Sequence, residues 1–143
     1  MTPSMTIPLW VMLGFAAWTL AVLTASIGVY RWSRIFTGRA RIAGWRPDGM
    51  EGAGWYQRAT RAHLNCVENL PVYAAVALAA AMAGVGGRDL DALAVTFLVA
   101  RIGQSLVHIT RTQTDPVAAL RFGLYLVQCL CVVWMGALVA IRA

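Results

Sequence analysis

Charge is what this sequence has least of, and lysine is missing from it altogether. The basic residues are twelve arginines against six acidic residues, in 143 residues that are 59% hydrophobic and 13% charged. A soluble helical bundle needs a solvated polar face, and so little charge cannot supply one, which excludes that class. No GxGxxG or P-loop run occurs, so nothing marks a nucleotide cofactor. Two histidines (His63, His108) and three cysteines (Cys66, Cys129, Cys131) show no zinc or haem spacing. No metal site is therefore expected, and no disulfide framework is implied. Internal repeats and low-complexity segments are also lacking, and the length fits one domain, residues 1–143.

What is present is a set of long apolar runs. Ile7 to Tyr30, Asn69 to Gly87 and Phe122 to Ile141 carry no charge, and Ala92 to Thr110 is apolar apart from Arg101 and His108. About 20 helical residues span a hydrocarbon core, so these read as four transmembrane helices. The expected fold is an all-α integral membrane bundle, with helices near 7–36, 54–83, 89–112 and 116–141. The first run has no basic residue before Arg31 and is too long for a signal peptide, so it reads as a retained span. Pro71 should kink the second helix or loosen one of its hydrogen bonds. Arg46-Pro47-Asp48-Gly49 is a turn signal, and Thr114-Asp115-Pro116 reads as a cap opening the fourth helix.

Arg31, Arg34, Arg39, Arg41, Arg46, Arg58 and Arg61 all lie between the first and second apolar runs. The positive-inside rule makes that loop cytoplasmic and puts both termini on the other side. The same rule accounts for the net charge of +6 without nucleic acid.

Polar residues interrupt the runs in stripes. On the second helix Arg58, Arg61, Asn65 and Glu68 fall within about 80° of one another at 100° per residue. Arg101, Gln104, Ser105 and His108 share a face of the third helix, and Arg121, Tyr125 and Gln128 share a face of the fourth. Each stripe alone fits interhelical hydrogen bonding. Together they set four or five guanidiniums near one depth against a single intramembrane carboxylate, Glu68, so internal pairing cannot neutralise them. An anionic ligand would, and a small zwitterion with several carboxylates fits the inventory, with a phospholipid headgroup as the competing reading. His63 points roughly 160° to 200° from the second-helix stripe and reads as a packing residue.

The run RATRAHLNCVENLPVY, residues 58–73, resembles the signature of the MAPEG family, membrane-associated proteins in eicosanoid and glutathione metabolism. The likeness extends over essentially the whole chain, including RFGLY at 121–125. The resemblance implies a microsomal glutathione transferase-like protein of a bacterial inner membrane. It would be a homotrimer, with glutathione bound between subunits as co-substrate and the site facing the cytoplasm. It implies Arg121 as the catalytic residue that stabilises the glutathione thiolate, because a thiol of pKa about 8.5 needs a nearby cation to ionise at neutral pH. By motif, Arg61, Asn65 and Glu68 would hold the peptide, with Arg41, Gln104, His108 and Tyr125 as further contacts. The chain departs from catalytic relatives at His108, where a tyrosine is common, and at Asn69 and Phe122. The implied activity is thiolate attack on a lipophilic electrophile or a lipid hydroperoxide at the lipid boundary. The alternative is a non-catalytic lipid- or glutathione-binding member of the lipoxygenase-activating kind.

Overall fold

The structure is a computed structural model that describes residues 5–46 and 51–143. The expected turn at Arg46-Pro47-Asp48-Gly49 falls largely outside the described residues. Four helices are each long and apolar enough to cross a membrane: α1 (Ile7–Phe36), α2 (Gly54–Met82), α3 (Arg88–Thr110) and α4 (Asp115–Arg142). Even the shortest, at 23 residues, rises about 34 Å against a hydrocarbon core of about 30 Å. Helix α1 packs on α2 and α3, and α4 packs on α3 and α2.

Local chemistry explains where these helices bend and stop. A π-helical turn, Leu23–Gly28, lies inside α1. There the Thr24 hydroxyl donates to the Leu20 carbonyl and the Ser26 hydroxyl to the Val22 carbonyl. Such back-bonding competes with the backbone ladder and bends helices. Pro71 sits inside α2 without ending it. Gly84, at φ +67, closes α2, and the Val85 amide reaches back to the Ala80 carbonyl at 2.9 Å. Helix α3 stops at Thr110, two residues before the expected end, because Arg111 is extended (φ −104, ψ 138). Thr114 precedes α4 but makes no side-chain cap, correcting the expectation from sequence; its carbonyl accepts the Ala118 amide at 2.8 Å.

The core lies where the helices converge. Tyr73 of α2 stacks on Phe97 of α3 with centroids 4.5 Å apart, and Phe15 of α1 meets Phe97 edge-on at 5.4 Å. Cys66 and Cys131 are buried in the same cluster, as small packing residues. The Tyr73 hydroxyl donates to the Pro8 carbonyl at 3.1 Å, which satisfies its polar end. A second cluster joins the other end of α1 to α2 through the Tyr30–Tyr56 stack at 4.4 Å. The Arg31 Nε donates to the Tyr56 hydroxyl at 2.7 Å, and the Ala53 amide donates to the Tyr30 hydroxyl at 3.0 Å. Gly52, at φ +86, is obligatory here, since a Cβ would come within 2.8 Å of that hydroxyl. Helix α4 is the least enclosed, with Gln128, Cys131 and Met135 its buried residues.

Candidate functional site

The α3 stripe turns inward as a unit. Arg101, Gln104, Ser105 and His108 are all buried, Arg101 being 1% exposed. Their spacing of three and four residues puts them on the face that α2 and α4 cover. The α2 stripe is more open, with Asn65 half-buried and Glu68 and Arg61 exposed. On α4, Arg121 is half-buried and Tyr125 exposed.

Between these helices lies a cleft of about 340 Å³. Asn65, Glu68 and Asn69 line it from α2, Arg101 and Gln104 from α3, and Arg121, Phe122 and Tyr125 from α4. Five of the eight residues singled out from sequence therefore face one space: Asn65, Glu68, Gln104, Arg121 and Tyr125. Arg61 and His108 line an adjoining hollow of about 240 Å³ with Arg58, and Gln113 borders both.

Arg41 is the outlier. It lines a separate hollow of about 300 Å³ with Tyr30, Arg34 and Trp45, and does not border the cleft of its own chain. The physical reason is the path of the loop after α1. It folds back so that Trp45 meets the Tyr30 ring at 5.9 Å, while Arg34 lies 5.3 Å over that ring.

Hydrogen bonds fix the polar walls. The Gln104 Nε2 donates to the Arg121 carbonyl at 3.2 Å, and its Oε1 accepts from the Gln128 Nε2 at 3.1 Å. These two bonds tie α3 to the first half of α4, one of them at the backbone of Arg121 itself. The Asn69 Nδ2 donates to the Asn65 carbonyl at 2.7 Å. The Ser105 hydroxyl donates to the Arg101 carbonyl at 2.9 Å and lies 3.6 Å from the Cys66 sulfur. Arg58 is committed elsewhere, its Nε donating to the Ile109 carbonyl at 3.1 Å, where a cation also suits the C-terminal end of α3. His63 sits on the far side of α2, with Nδ1 3.2 Å from the Thr19 carbonyl, the packing role its angle implies.

Several polar atoms around the cleft are buried with no hydrogen-bond partner: Nε and Nη2 of Arg101, Nε of Arg121, Nδ1 of His108 and Oε1 of Gln128. The Arg101 guanidinium also lies 5.6 Å over the Phe15 ring, a contact that suits a cation but satisfies none of its N–H groups. Unsatisfied donors at membrane depth are costly and mark functional positions. Two guanidiniums and one carboxylate line the cleft, with Arg58 and Arg61 next door, so the space favours an anion. Among the described residues no group of three or more His, Cys, Asp or Glu gathers at metal-binding distance.

Sequence reasoning did not single out Gln113. It lies in the short α3–α4 connection, where helical periodicity carries no information. Gln128 was visible as part of the α4 stripe, but its bond to Gln104 was not.

Fold and site together define a class: an integral membrane protein of four helices with a polar, anion-receptive cleft at one end of the bundle. The family model described as the MAPEG family matches residues 7–141, nearly the whole chain, and the chain belongs to that family. Membership makes this a protein of a glutathione-associated membrane family, in agreement with the resemblance carried by residues 58–73. Comparison with curated proteins gives no match, and comparison with solved structures gives none either.

Proposed function

We propose that the protein is a glutathione transferase, with peroxidase capacity, that ionises the glutathione thiol and directs it at lipophilic electrophiles or lipid hydroperoxides. The observation that carries this reading is the convergence of Asn65, Glu68, Gln104, Arg121 and Tyr125 on one cleft. Glutathione has two carboxylates, an ammonium and amides. In this reading Arg61 pairs a carboxylate, Glu68 receives the ammonium, and Asn65, Gln104, His108 and Tyr125 contact the peptide. Arg121 lies beside the sulfur and lowers the thiol pKa, so thiolate is present at neutral pH. Its charge is permanent, so the effect does not depend on its own protonation.

The position of Arg41 supports a homotrimer. Away from the cleft of its own chain, it would complete the site of a neighbouring copy. Four spans and the arginine-rich first loop support a bacterial inner-membrane location, with the cleft on the cytoplasmic side and both termini opposite.

The test is spectroscopic. Purified protein in detergent should develop thiolate absorbance near neutral pH when glutathione is added, and should conjugate a generic electrophile such as 1-chloro-2,4-dinitrobenzene. Absence of both ends the enzyme reading and leaves a binding protein of the lipoxygenase-activating kind.

A further inference from the structure

Two walls of the cleft are held in different ways. On α2, Asn65, Glu68 and Asn69 stand on a helix packed into both aromatic clusters. On α4, no residue before Gln128 is buried, so no enclosed apolar side chain fixes the stretch that carries Arg121. The Arg121 side chain makes no hydrogen bond among the described residues, and its Nε is buried without a partner. The place of that guanidinium therefore follows from the place of its backbone against α3.

A relay of two amides sets that place. The Gln128 Nε2 donates to the Leu124 carbonyl of its own helix at 2.9 Å and to the Gln104 Oε1 of α3 at 3.1 Å, which uses both N–H bonds. The Gln104 Nε2 donates onward to the Arg121 carbonyl at 3.2 Å. Both ends of the relay are backbone carbonyls of α4, which only accept. Each amide is thus held in one orientation, since turning either over would set oxygen against oxygen. Gln128 is 1% exposed and Gln104 7%, so water does not compete for these bonds. The relay is poorly suited to stability alone, because it leaves the Gln128 Oε1 buried without a donor. What it supplies is register. Apolar side chains tolerate a slide of one helix along another, whereas hydrogen bonds weaken steeply with misalignment, and a buried amide at a helix contact selects one alignment.

We infer that Gln128 is a positioning residue for Arg121: acting through Gln104, it fixes α4 against α3 so that the guanidinium stands beside the glutathione sulfur. This role rests on the glutathione reading and adds to it a residue that does not border the cleft. Arg121 and Gln128 stand about 10.5 Å apart along α4, and the Gln104 side chain bridges them from α3. Without the Gln128 donor the Gln104 Oε1 has no partner, its amide is free to turn, and the tie at Arg121 is lost with it. A displacement of about 1 Å at a charge that acts on the reacting atom can cost up to about 10²-fold in rate.

Gln128→Met tests this, because Met keeps the length of the side chain and removes both N–H bonds. The full chain in nanodiscs is titrated with pH at saturating glutathione, and thiolate absorbance gives the midpoint for ionisation of the bound thiol. That midpoint should rise by about one pH unit in the variant, and turnover at neutral pH should fall about tenfold. Affinity for S-methylglutathione, which has the peptide but no ionisable thiol, should stay within about twofold of wild type. A role confined to structure would weaken that affinity and leave the midpoint in place. Gln104→Met breaks the relay from α3 and should raise the midpoint at least as far, and the double variant should raise it no further. An unchanged midpoint in folded Gln128→Met overturns the inference, and so do additive shifts in the double variant. If Gln128→Met does not fold, an unchanged midpoint in Gln104→Met overturns it instead. A missing thiolate band in the wild-type chain ends the glutathione reading and this role with it. A wild-type band that Gln128→Met leaves unmoved ends the Gln128 role alone.

Discussion

Where Gly84–Gly87 turns α2 into α3, Arg142 of α4 grips Asp89 with both Nη atoms, and the two side chains stay 40% and 44% exposed. At the opposite end Arg101 and Arg121 are drawn inward, and three of their guanidinium nitrogens are buried without a partner. The first end is closed by its own residues and wetted by solvent, so its charges are balanced and hold little free energy. The second carries excess positive charge in a low-dielectric cleft, where each unsatisfied N–H destabilises the empty protein and strengthens the grip on an anion. One end is built as a clasp, the other as a receptor.

Substituting each arginine in turn sharpens that contrast. Arg121→Ala should have the largest effect. Removing a preorganised donor beside developing negative charge lowers turnover about 10² to 10³-fold. With glutathione bound, the thiolate absorbance should shrink at neutral pH and return only as pH rises toward the free thiol pKa, about 8.5. Unchanged turnover would remove Arg121 as the thiolate stabiliser. Arg101→Met comes next and separates cost from benefit. Because the buried guanidinium is poorly satisfied, the ligand-free variant should melt no lower than wild type. Its glutathione affinity should fall about tenfold, the loss of one charge-assisted hydrogen bond. Thermal shifts with and without glutathione read both at once. A variant that melts lower without ligand would make Arg101 a structural element after all.

Much of this contrast was legible in sequence, for identifiable reasons. The four spans follow from the absence of charge over runs long enough to cross a bilayer, a property that needs no tertiary information. The stripe Arg101, Gln104, Ser105 and His108 follows from helical spacing, and its burial as a unit follows from that shared face. Which stripes meet is another matter. Helical spacing orders residues around one axis and says nothing of how far one helix is turned or slid against the next. Arg61 and His108 thus border a different hollow from Asn65 and Glu68, though the spacing is regular throughout. Arg41 was assigned by resemblance alone, and the loop that carries it folds onto Tyr30 through ring contacts that no periodicity encodes. The π-helical turn in α1 arises from Thr24 and Ser26 hydroxyls that, from sequence, read as ordinary small residues in an apolar run. Gln128 is the sharpest case. Its free carbonyl is recognisable only once every partner of two amides is known.

The smallest effect is expected at the clasp. Asp89 already has a second role, accepting the Leu90 amide at 2.9 Å in the first turn of α3, where an anion suits the helix dipole. Arg142 has no comparable second bond, so Arg142→Ala isolates the ion pair and leaves the helix start intact. Exposed pairs gain little because water screens the attraction and two flexible side chains lose rotamer freedom. The variant should keep wild-type glutathione affinity and wild-type turnover, and its melting temperature should shift by less than the Arg121→Ala or Arg101→Met proteins gain on binding glutathione. Any loss of glutathione affinity would mean that the two ends are coupled through α4, the helix that carries both Arg121 and Arg142. The clasp would then belong to the receptor rather than stand in contrast to it.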